Sequence, residues 1–319
     1  MTEIIVFADL TDRFNELYSE GKYKQALDLL MRESTRFPDY AVITAWWQMR
    51  MMALTDDAAG ALCVLDEALT KGHWYHEDAL HNIPDLATLQ GTPEFESLVA
   101  RCRDCRLKAV AEATPSLTVL EPQNHPRPWP LLLPLGAGAA DPDFADHWIT
   151  AADAGWLVAI PQSSQVGWFS GLYVWDDIER TITEIQQHYN KLGERYGFDQ
   201  SRVVIAGFSR HNQMALQVAL GANLKLRGVI AVEAWLPDMS IWPPIVEANQ
   251  NSALRGYFIA GRENPKFYES AEKMVELLQS HDIACKLEGT SNRRHRFPPE
   301  FEESLRRALS FIVNGGQHA

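Results

Sequence analysis

One serine and one histidine occupy positions in this chain from which they could transfer an acyl group together. Ser209 ends the run Gly207-Phe208-Ser209, which follows a buried-strand pattern and precedes a helical one. A sharp turn from strand to helix exposes a serine hydroxyl and aims backbone N–H groups at the oxyanion formed during acyl transfer. His295 follows the last predicted strand, where a general base would lie. The pair predicts that Ser209 attacks an acyl carbon while His295 accepts its proton.

The elements that must position this pair are predicted from the last two thirds of the chain. Short apolar runs of strand length alternate there with stretches of helical periodicity. The runs lie at 131–133, 156–160, 202–206, 228–232, 256–260 and 283–287, and the helical stretches at 175–196, 213–221, 267–280 and 298–313. Strands that are apolar on both faces and separated by helices predict an α/β fold with a mostly parallel, doubly wound sheet. Ligands of such sheets bind beyond the carboxyl ends of the strands, which is where Ser209 lies.

The first third of the chain is predicted to be entirely helical. The motif Gly21-x-Tyr23-x-x-Ala26 is followed by Ala61, 35 residues after Ala26, which is close to the period of tetratricopeptide helix pairs. Two imperfect units are fewer than such arrays need. A plain helical cap and a surface for a protein or peptide partner therefore both stay open as interpretations.

A change of pattern after Ala113-Thr114-Pro115 marks the predicted domain boundary. Prolines at 122, 126, 128 and 130 bracket a loop that leads into the first apolar run. We therefore predict a helical, tetratricopeptide-like domain over 1–113 and an α/β domain over 114–319.

From about residue 116 to its end, the chain resembles the phospholipase/carboxylesterase branch of the α/β-hydrolases, some members of which carry a helical N-terminal extension. The resemblance is carried by Gly207-Phe208-Ser209, by Gly261 after a strand, and by the segment that begins at His295 and continues to Pro299. It implies an α/β-hydrolase fold and hydrolysis of a small-molecule ester, thioester or other acyl substrate. It also implies a Ser-acid-His triad and no cofactor.

Two positions near the expected oxyanion hole depart from the family pattern. The family has a glycine two residues after the serine, where this chain has His211, which could reshape the hole, exchange protons, contact substrate or simply fill space. The His-Gly that usually follows the first core strand is replaced by small residues around Gly136 and Ala137. We expect the oxyanion to be held by the N–H of Arg210 together with that of Gly136 or Ala137.

The third departure concerns the triad acid. Asn264 stands where the family has an aspartate, and an amide can orient a histidine without stabilising its charge. Glu233, Glu263 and, less strongly, Asp238 are candidates to replace that acid. Glu233 is preferred because it ends a predicted strand, and strand ends direct their side chains into such sites.

Aromatic residues near these elements predict an apolar substrate pocket. The candidates are Trp168, Phe169 and Tyr173, which lie in one loop, and Trp235, which follows the strand ending at Glu233. Core packing between the helical domain and the sheet is the alternative interpretation of this loop.

Composition excludes several classes of partner. The 42 acidic and 29 basic residues give a net charge of −13, which repels nucleic acids and anionic membranes. Neither a signal sequence nor a membrane-length apolar run is predicted, so a cytoplasmic location is expected. Cys102 and Cys105 form a C-x-x-C without a second pair, so no metal site is predicted.

Because His211 and Asn264 stand where the family has a glycine and an aspartate, a second functional hypothesis stays open. The chain is either a serine hydrolase, or a hydrolase-like protein that acts as a lyase or isomerase or as a non-catalytic binding module.

Overall fold

Seven strands form a single sheet in the computed structural model, which describes residues 6–136, 138, 141–221, 224–249, 251–292 and 294–315. The strands are β1 (Ser116–Leu120), β2 (Leu131–Leu135), β3 (Leu157–Gln162), β4 (Val203–Phe208), β5 (Gly228–Val232), β6 (Arg255–Gly261) and β7 (Ala284–Thr290). Their order is β1-β3-β2-β4-β5-β6-β7, and β1 is antiparallel to β3 while the other neighbours are parallel. The predicted α/β fold is confirmed.

Helices cover both faces of the sheet, which explains why its central strands are apolar throughout. The helices are α7 (Ile149–Asp153), α8 (Ile178–Tyr196), α9 (His211–Gly221), α10 (Trp242–Glu247), α11 (Pro265–Gln279) and α12 (Phe301–Asn314). Val203 and Ile205 of β4 pack in a core with α8 to α11, whereas Val204 and Ala206 pack in a second core with α7 and α12. Successive side chains of a strand point to opposite faces, so a strand covered on both sides needs an uninterrupted apolar run.

Strand β1 was not predicted. It forms one edge of the sheet, and none of its residues is fully buried. A five-residue strand with one solvent-exposed face lacks the continuous apolar run by which the other six strands were predicted.

The N-terminal region is helical, as predicted. Its helices are α1 (Phe7–Ser19), α2 (Tyr23–Glu33), α3 (Ala41–Leu54), α4 (Ala58–Thr70), α5 (Glu77–Asn82) and α6 (Pro93–Glu112). Gly21 lies in the turn after α1 with φ 70°, and Ala26 and Ala61 are fully buried in α2 and α4. The tetratricopeptide likeness stays a prediction.

The described residues divide into two compact units. One comprises the described residues of 6–113 and the short segment 166–172, and the other comprises those of 114–165 and 173–315. Within the helical unit the N–H of His76 donates to the carbonyl of Trp168 at 2.7 Å, and Tyr75 forms a β-bridge with Phe169.

Candidate active site

Ser209 occupies a tightly held turn between β4 and α9. Its N–H donates to the Val232 carbonyl at 3.0 Å, and its own carbonyl accepts from the Trp235 N–H at 3.2 Å. The buried Asn212 amide donates to the carbonyls of Ser209, at 2.9 Å, and Val232, at 2.8 Å. Gly207 is required here, because a Cβ would lie 2.9 Å from the Asn212 backbone nitrogen. The turn is therefore anchored both to the next strand and to its own helix.

Backbone strain is concentrated at two strand ends in this site. Among the described residues, five that are not glycine have a positive φ. Three of them are Asp or Asn, which tolerate the left-handed region. The other two are Ser209, with φ 56°, and Glu233, with φ 45°, which follow β4 and β5. Strain in residue types that rarely adopt this conformation is typical of functional sites.

The structure brings His295 to Ser209 across 86 residues of sequence. The distance between His295 Nε2 and Ser209 Oγ is 2.6 Å, which is within hydrogen-bonding range for a nucleophile and its base. The imidazole stacks on Phe208, with ring centres 5.0 Å apart, and on Phe267, with centres 4.3 Å apart.

The surroundings of the imidazole also affect the charge of His295. His295 is an exposed residue, yet the protein atoms around its ring disfavour the charged form, and this desolvation, followed by the positive charge of Lys266, lowers its pKa to about 4. Its imidazole is therefore neutral at pH 7 and able to accept a proton from Ser209.

Glu233 is fully buried at the end of β5. Its Oε1 accepts hydrogen bonds from the Gly261 N–H at 2.9 Å and from the Asn292 amide at 3.0 Å. Burial raises the pKa of the carboxyl to about 7, although both hydrogen bonds oppose that shift. No hydrogen bond joins Glu233 to His295 in the described part of the chain.

The other acid candidates lie in the segment after β5 and at the start of α11. Asp238 is exposed and caps a short helical turn by accepting from the Ser240 N–H. Glu263 is exposed, and Asn264 is the residue immediately before α11. In the described part of the chain, neither Asp238 nor Asn264 hydrogen bonds to the His295 ring.

The predicted oxyanion residues lie around the amino end of α9 and the end of β2. Within the described chain the backbone N–H of Arg210 donates to no residue, and its guanidinium pairs with Asp176 at 2.7 Å. Gly136 is buried directly after β2, and its carbonyl accepts from the Trp175 indole at 3.1 Å. Ala137 lies outside the described residues, so its predicted role is carried no further.

His211 is buried beside the same strand end. It hydrogen bonds with the Leu135 backbone, and burial followed by the charge of Arg210 lowers its pKa to about 4. It is a neutral side chain that links the start of α9 to the end of β2. Contact with substrate stays a prediction.

The predicted pocket aromatics belong to different parts of the chain. Trp168 and Phe169 pack within the helical unit, where Trp168 lies 5.1 Å from the Trp46 ring. Tyr173 lies against Gly138, because a Cβ on that glycine would be 2.6 Å from the tyrosine ring. Trp235 is half-buried under the Lys266 ammonium, which is 5.3 Å from its ring centre.

Three contributors to this site were not predicted from the sequence. Asn292 bonds Glu233, Phe267 stacks on His295, and Lys266 lowers the pKa of His295. None belongs to a motif, and their only common signal is position at the end of a strand or the start of a helix.

The described residues contain no group of three or more His, Cys, Asp or Glu side chains suited to a metal ion. Cys102 is buried and Cys105 is exposed. Within the same residues no helix is both long enough and apolar enough to cross a bilayer.

The fold and the serine–histidine pair define an α/β-hydrolase. The profile of the Phospholipase/Carboxylesterase family matches residues 147–311, more than half of the chain, and that of the A/B hydrolase-like N-terminal domain matches residues 6–110. The chain belongs to the phospholipase/carboxylesterase family of α/β-hydrolases. This membership supports a hydrolase of esterase type that acts on small-molecule esters.

Solved structures of similar fold come from several bacteria. An uncharacterized protein from Bacillus cereus ATCC 10987 is 24% identical, with a TM-score of 0.54 and coverage of 98% of this chain and 100% of that one. A Bacillus cereus carboxylesterase is 17% identical, with a TM-score of 0.49 and coverage of 65% and 98%. A butyrate-bound esterase from Thermogutta terrifontis is 13% identical, with a TM-score of 0.47 and coverage of 64% and 91%. Comparison with functionally curated proteins gives no match.

Proposed function

We propose that this protein is a serine carboxylesterase or thioesterase that acts through an acyl-Ser209 intermediate. The observation that carries the proposal is the 2.6 Å distance between His295 Nε2 and Ser209 Oγ. The strained turn at Ser209 supports it, because the turn aims the hydroxyl beyond the carboxyl end of β4.

The reaction runs in two half-reactions. Ser209 Oγ attacks the acyl carbon while His295 Nε2 takes its proton, and the oxyanion accepts from the Arg210 N–H just before α9 and from the Gly136 N–H after β2. His295 then returns the proton to the leaving alcohol or thiol. In the second half, His295 deprotonates a water molecule that attacks the acyl carbon, and the proton finally returns to Ser209.

The electrostatics of His295 predict a slow enzyme. A base with a pKa of about 4 is deprotonated at pH 7, but it is a weak base and draws the proton from the serine hydroxyl less strongly than an ordinary histidine would. A triad aspartate would normally stabilise the imidazolium, and its replacement by an amide costs about 10⁴-fold in a well-studied serine protease. We therefore expect turnover well below that of a complete triad.

A second candidate function is favoured by the contacts of Glu233 and by the residue at position 264. A hydrolase fold in which Glu233 bonds Gly261 and Asn292 but not the histidine, and in which Asn264 replaces the family's aspartate, also suits a protein that binds an acyl ligand without turning it over. The two candidates differ in whether Ser209 is chemically activated.

Active-site labelling separates these candidates. The protein is incubated with a fluorophosphonate, and its intact mass is measured together with hydrolysis of p-nitrophenyl butyrate and of a matched thioester. We expect one adduct, which is absent from Ser209→Ala and strongly slowed in His295→Ala. Ser201→Ala is the matched control, because Ser201 is an exposed serine preceding the opposite end of β4. Absence of labelling in the wild type, with acyl-ligand binding retained, would favour the binding module.

Three finer predictions from the sequence gain no support from the structure. They are the choice of a thioester over an ester, the cytoplasmic location, and contact with a protein or peptide through the N-terminal helices. They stay predictions.

A further inference from the structure

The buried carboxylate of Glu233 is linked by one side chain to the segment that carries His295. That side chain is Asn292, which is 4% exposed and donates to Glu233 Oε1 at 3.0 Å. The same amide nitrogen donates to the Arg296 carbonyl at 2.6 Å, and its Oδ1 accepts from the Arg294 N–H at 3.3 Å. Asn292 thus bonds the residues on both sides of His295.

The strand that follows β5 in the sheet supports this link. Gly261, the last residue of β6, donates its N–H to the same oxygen of Glu233. A Cβ at Gly261 would lie 2.0 Å from the Asn292 carbonyl oxygen, so only glycine lets the His295 segment come this close to β6. Glu233 Oε1 therefore fixes Gly261 and Asn292 relative to each other.

We propose that Glu233 and Asn292 are positioning residues for His295, and that Glu233 acts through the Asn292 amide as a hydrogen-bond acceptor rather than as the ionised acid of a triad. This inference rests on the proposed function, because it assigns a role in the Ser209–His295 reaction. Glu233 bonds Asn292 and Gly261 but not His295, and its Oε2 is buried without a hydrogen bond to any described residue.

The consequence for catalysis is geometric. Proton transfer needs the imidazole held within hydrogen-bonding distance of Ser209 Oγ, and a displacement of about 1 Å can cost about 100-fold in rate. Stacking on Phe208 and Phe267 holds the ring from its faces. The Glu233–Asn292 link holds the backbone from which the ring projects.

Removal and conservative replacement of the acceptor test this role. The assay is hydrolysis of p-nitrophenyl butyrate at 25 °C, with folding checked by circular dichroism for each variant. We expect Glu233→Ala and Asn292→Ala each to lower kcat at least about 30-fold with KM changed less than about threefold. Glu233→Gln retains an acceptor oxygen for Gly261 and Asn292, so its kcat should be much closer to that of the wild type than the kcat of Glu233→Ala.

The matched control is Glu288→Gln on β7. Glu288 is also a largely buried carboxylate, and it accepts from Tyr257, Ser304 and Arg307, none of which belongs to the candidate site. This variant should lose stability but keep its kcat within about threefold. A loss of kcat as large as that of Glu233→Ala would mean that the effect is general destabilisation, and would overturn the proposal.

A pH profile separates positioning from a merely structural role. Asn292→Asp places a second carboxyl against Glu233, and two carboxylates at hydrogen-bonding distance cannot both be ionised without strong repulsion. The kcat of this variant should be low at pH 8 and rise as the pH falls to 6, where the two carboxyls share a proton and His295 is still neutral. A profile parallel to that of the wild type would contradict the proposal.

Fluorophosphonate labelling distinguishes failure of the proposed function from failure of the positioning proposal. If the wild type does not label, the proposed function fails. If the wild type labels and Asn292→Ala labels at the same rate, only the positioning proposal fails. If Glu233→Gln is as inactive as Glu233→Ala while both are folded, Glu233 acts through its charge, which also overturns the proposal.

Discussion

Lys266 provides a direct test of whether His295 is the catalytic base. Its ammonium lies 5.6 Å from the Phe267 ring centre, and that ring centre lies 4.3 Å from the imidazole centre. The two charges are therefore at most about 10 Å apart once His295 is protonated. Lys266 is exposed and pairs with no carboxylate among the described residues, so its charge acts on the imidazole without a neutralising partner.

The size of this effect follows from Coulomb's law. At about 10 Å, two unit charges repel by about 0.4 kcal/mol in the dielectric of water and by about 1.7 kcal/mol at an effective dielectric constant of 20. These energies correspond to about 0.3 and 1.2 pH units. Because Lys266 is solvent-exposed, we expect the lower half of that range. Burial is the larger cause of the lowered pKa of His295, so the ordinary histidine value is not restored.

The assay is the pH dependence of kcat/KM, because its fall at acid pH reports the pKa of the catalytic base in the free enzyme. Lys266→Gln removes the repulsion, so the pKa of His295 rises and the acid limb should move to higher pH by about 0.3 to 0.75 units. Lys273→Gln is the control, since it makes the same change in net charge on the exposed side of the same helix, α11. At about 0.5 M salt, where screening acts over roughly 4 Å, the difference should largely vanish.

Two results would refute this reasoning. An acid limb unmoved in Lys266→Gln at low salt would mean that His295 is not the titrating base. An equal shift in Lys273→Gln would mean that the limb reports net charge rather than a local repulsion.

Three further predictions concern the same site. Ser209→Gly should raise the free energy of unfolding in urea by about 1 kcal/mol relative to Ser209→Ala, because only glycine relieves the positive φ; equal stabilities would contradict the strain. Glu233 has a folded pKa of about 7, above its ordinary 4.5, so its contribution to stability is present below about pH 4.5 and is lost as the pH rises through 7. Glu233→Gln should lack this loss, which is on the order of 2 to 3 kcal/mol, and parallel stability profiles from pH 4.5 to 8 would argue against a buried neutral carboxyl. Asn264→Asp should raise kcat for p-nitrophenyl butyrate at least about 10-fold, because it restores a negative charge in the family's acid position; an unchanged kcat would indicate that position 264 no longer faces the base.

Some of the site could be predicted because it depends on short-range pattern. The turn at Ser209 follows from a glycine, a serine and the change from strand to helix around them, all within about ten residues. The six parallel strands were identified because strands covered on both faces must be apolar throughout. His295 was identified by its position after the last strand, because parallel strands joined by helices all end at the same edge of the sheet.

Other parts of the site depend on residues that are far apart in sequence. Glu233 and Asn292 are separated by 59 positions and meet because β5, β6 and β7 lie side by side, with Gly261 leaving room for the approach. Trp168 and Phe169 were predicted to wall the pocket as one loop with Tyr173. The structure assigns those two to the helical unit and Tyr173, beside Gly138, to the other unit, and their contact with substrate stays a prediction. An aromatic cluster in the sequence gives no information on which core it enters.

The sequence by itself determined the class of fold, the nucleophile turn and the serine–histidine pair, because local periodicity and chain order encode each of them. Only the tertiary structure decided what surrounds His295: two aromatic rings, a nearby ammonium, and a buried glutamate that reaches its segment through an asparagine. Those contacts cross between strands and helices, and hydrogen bonds of this kind depend on ångström distances in space that the spacing of residues along a chain does not specify.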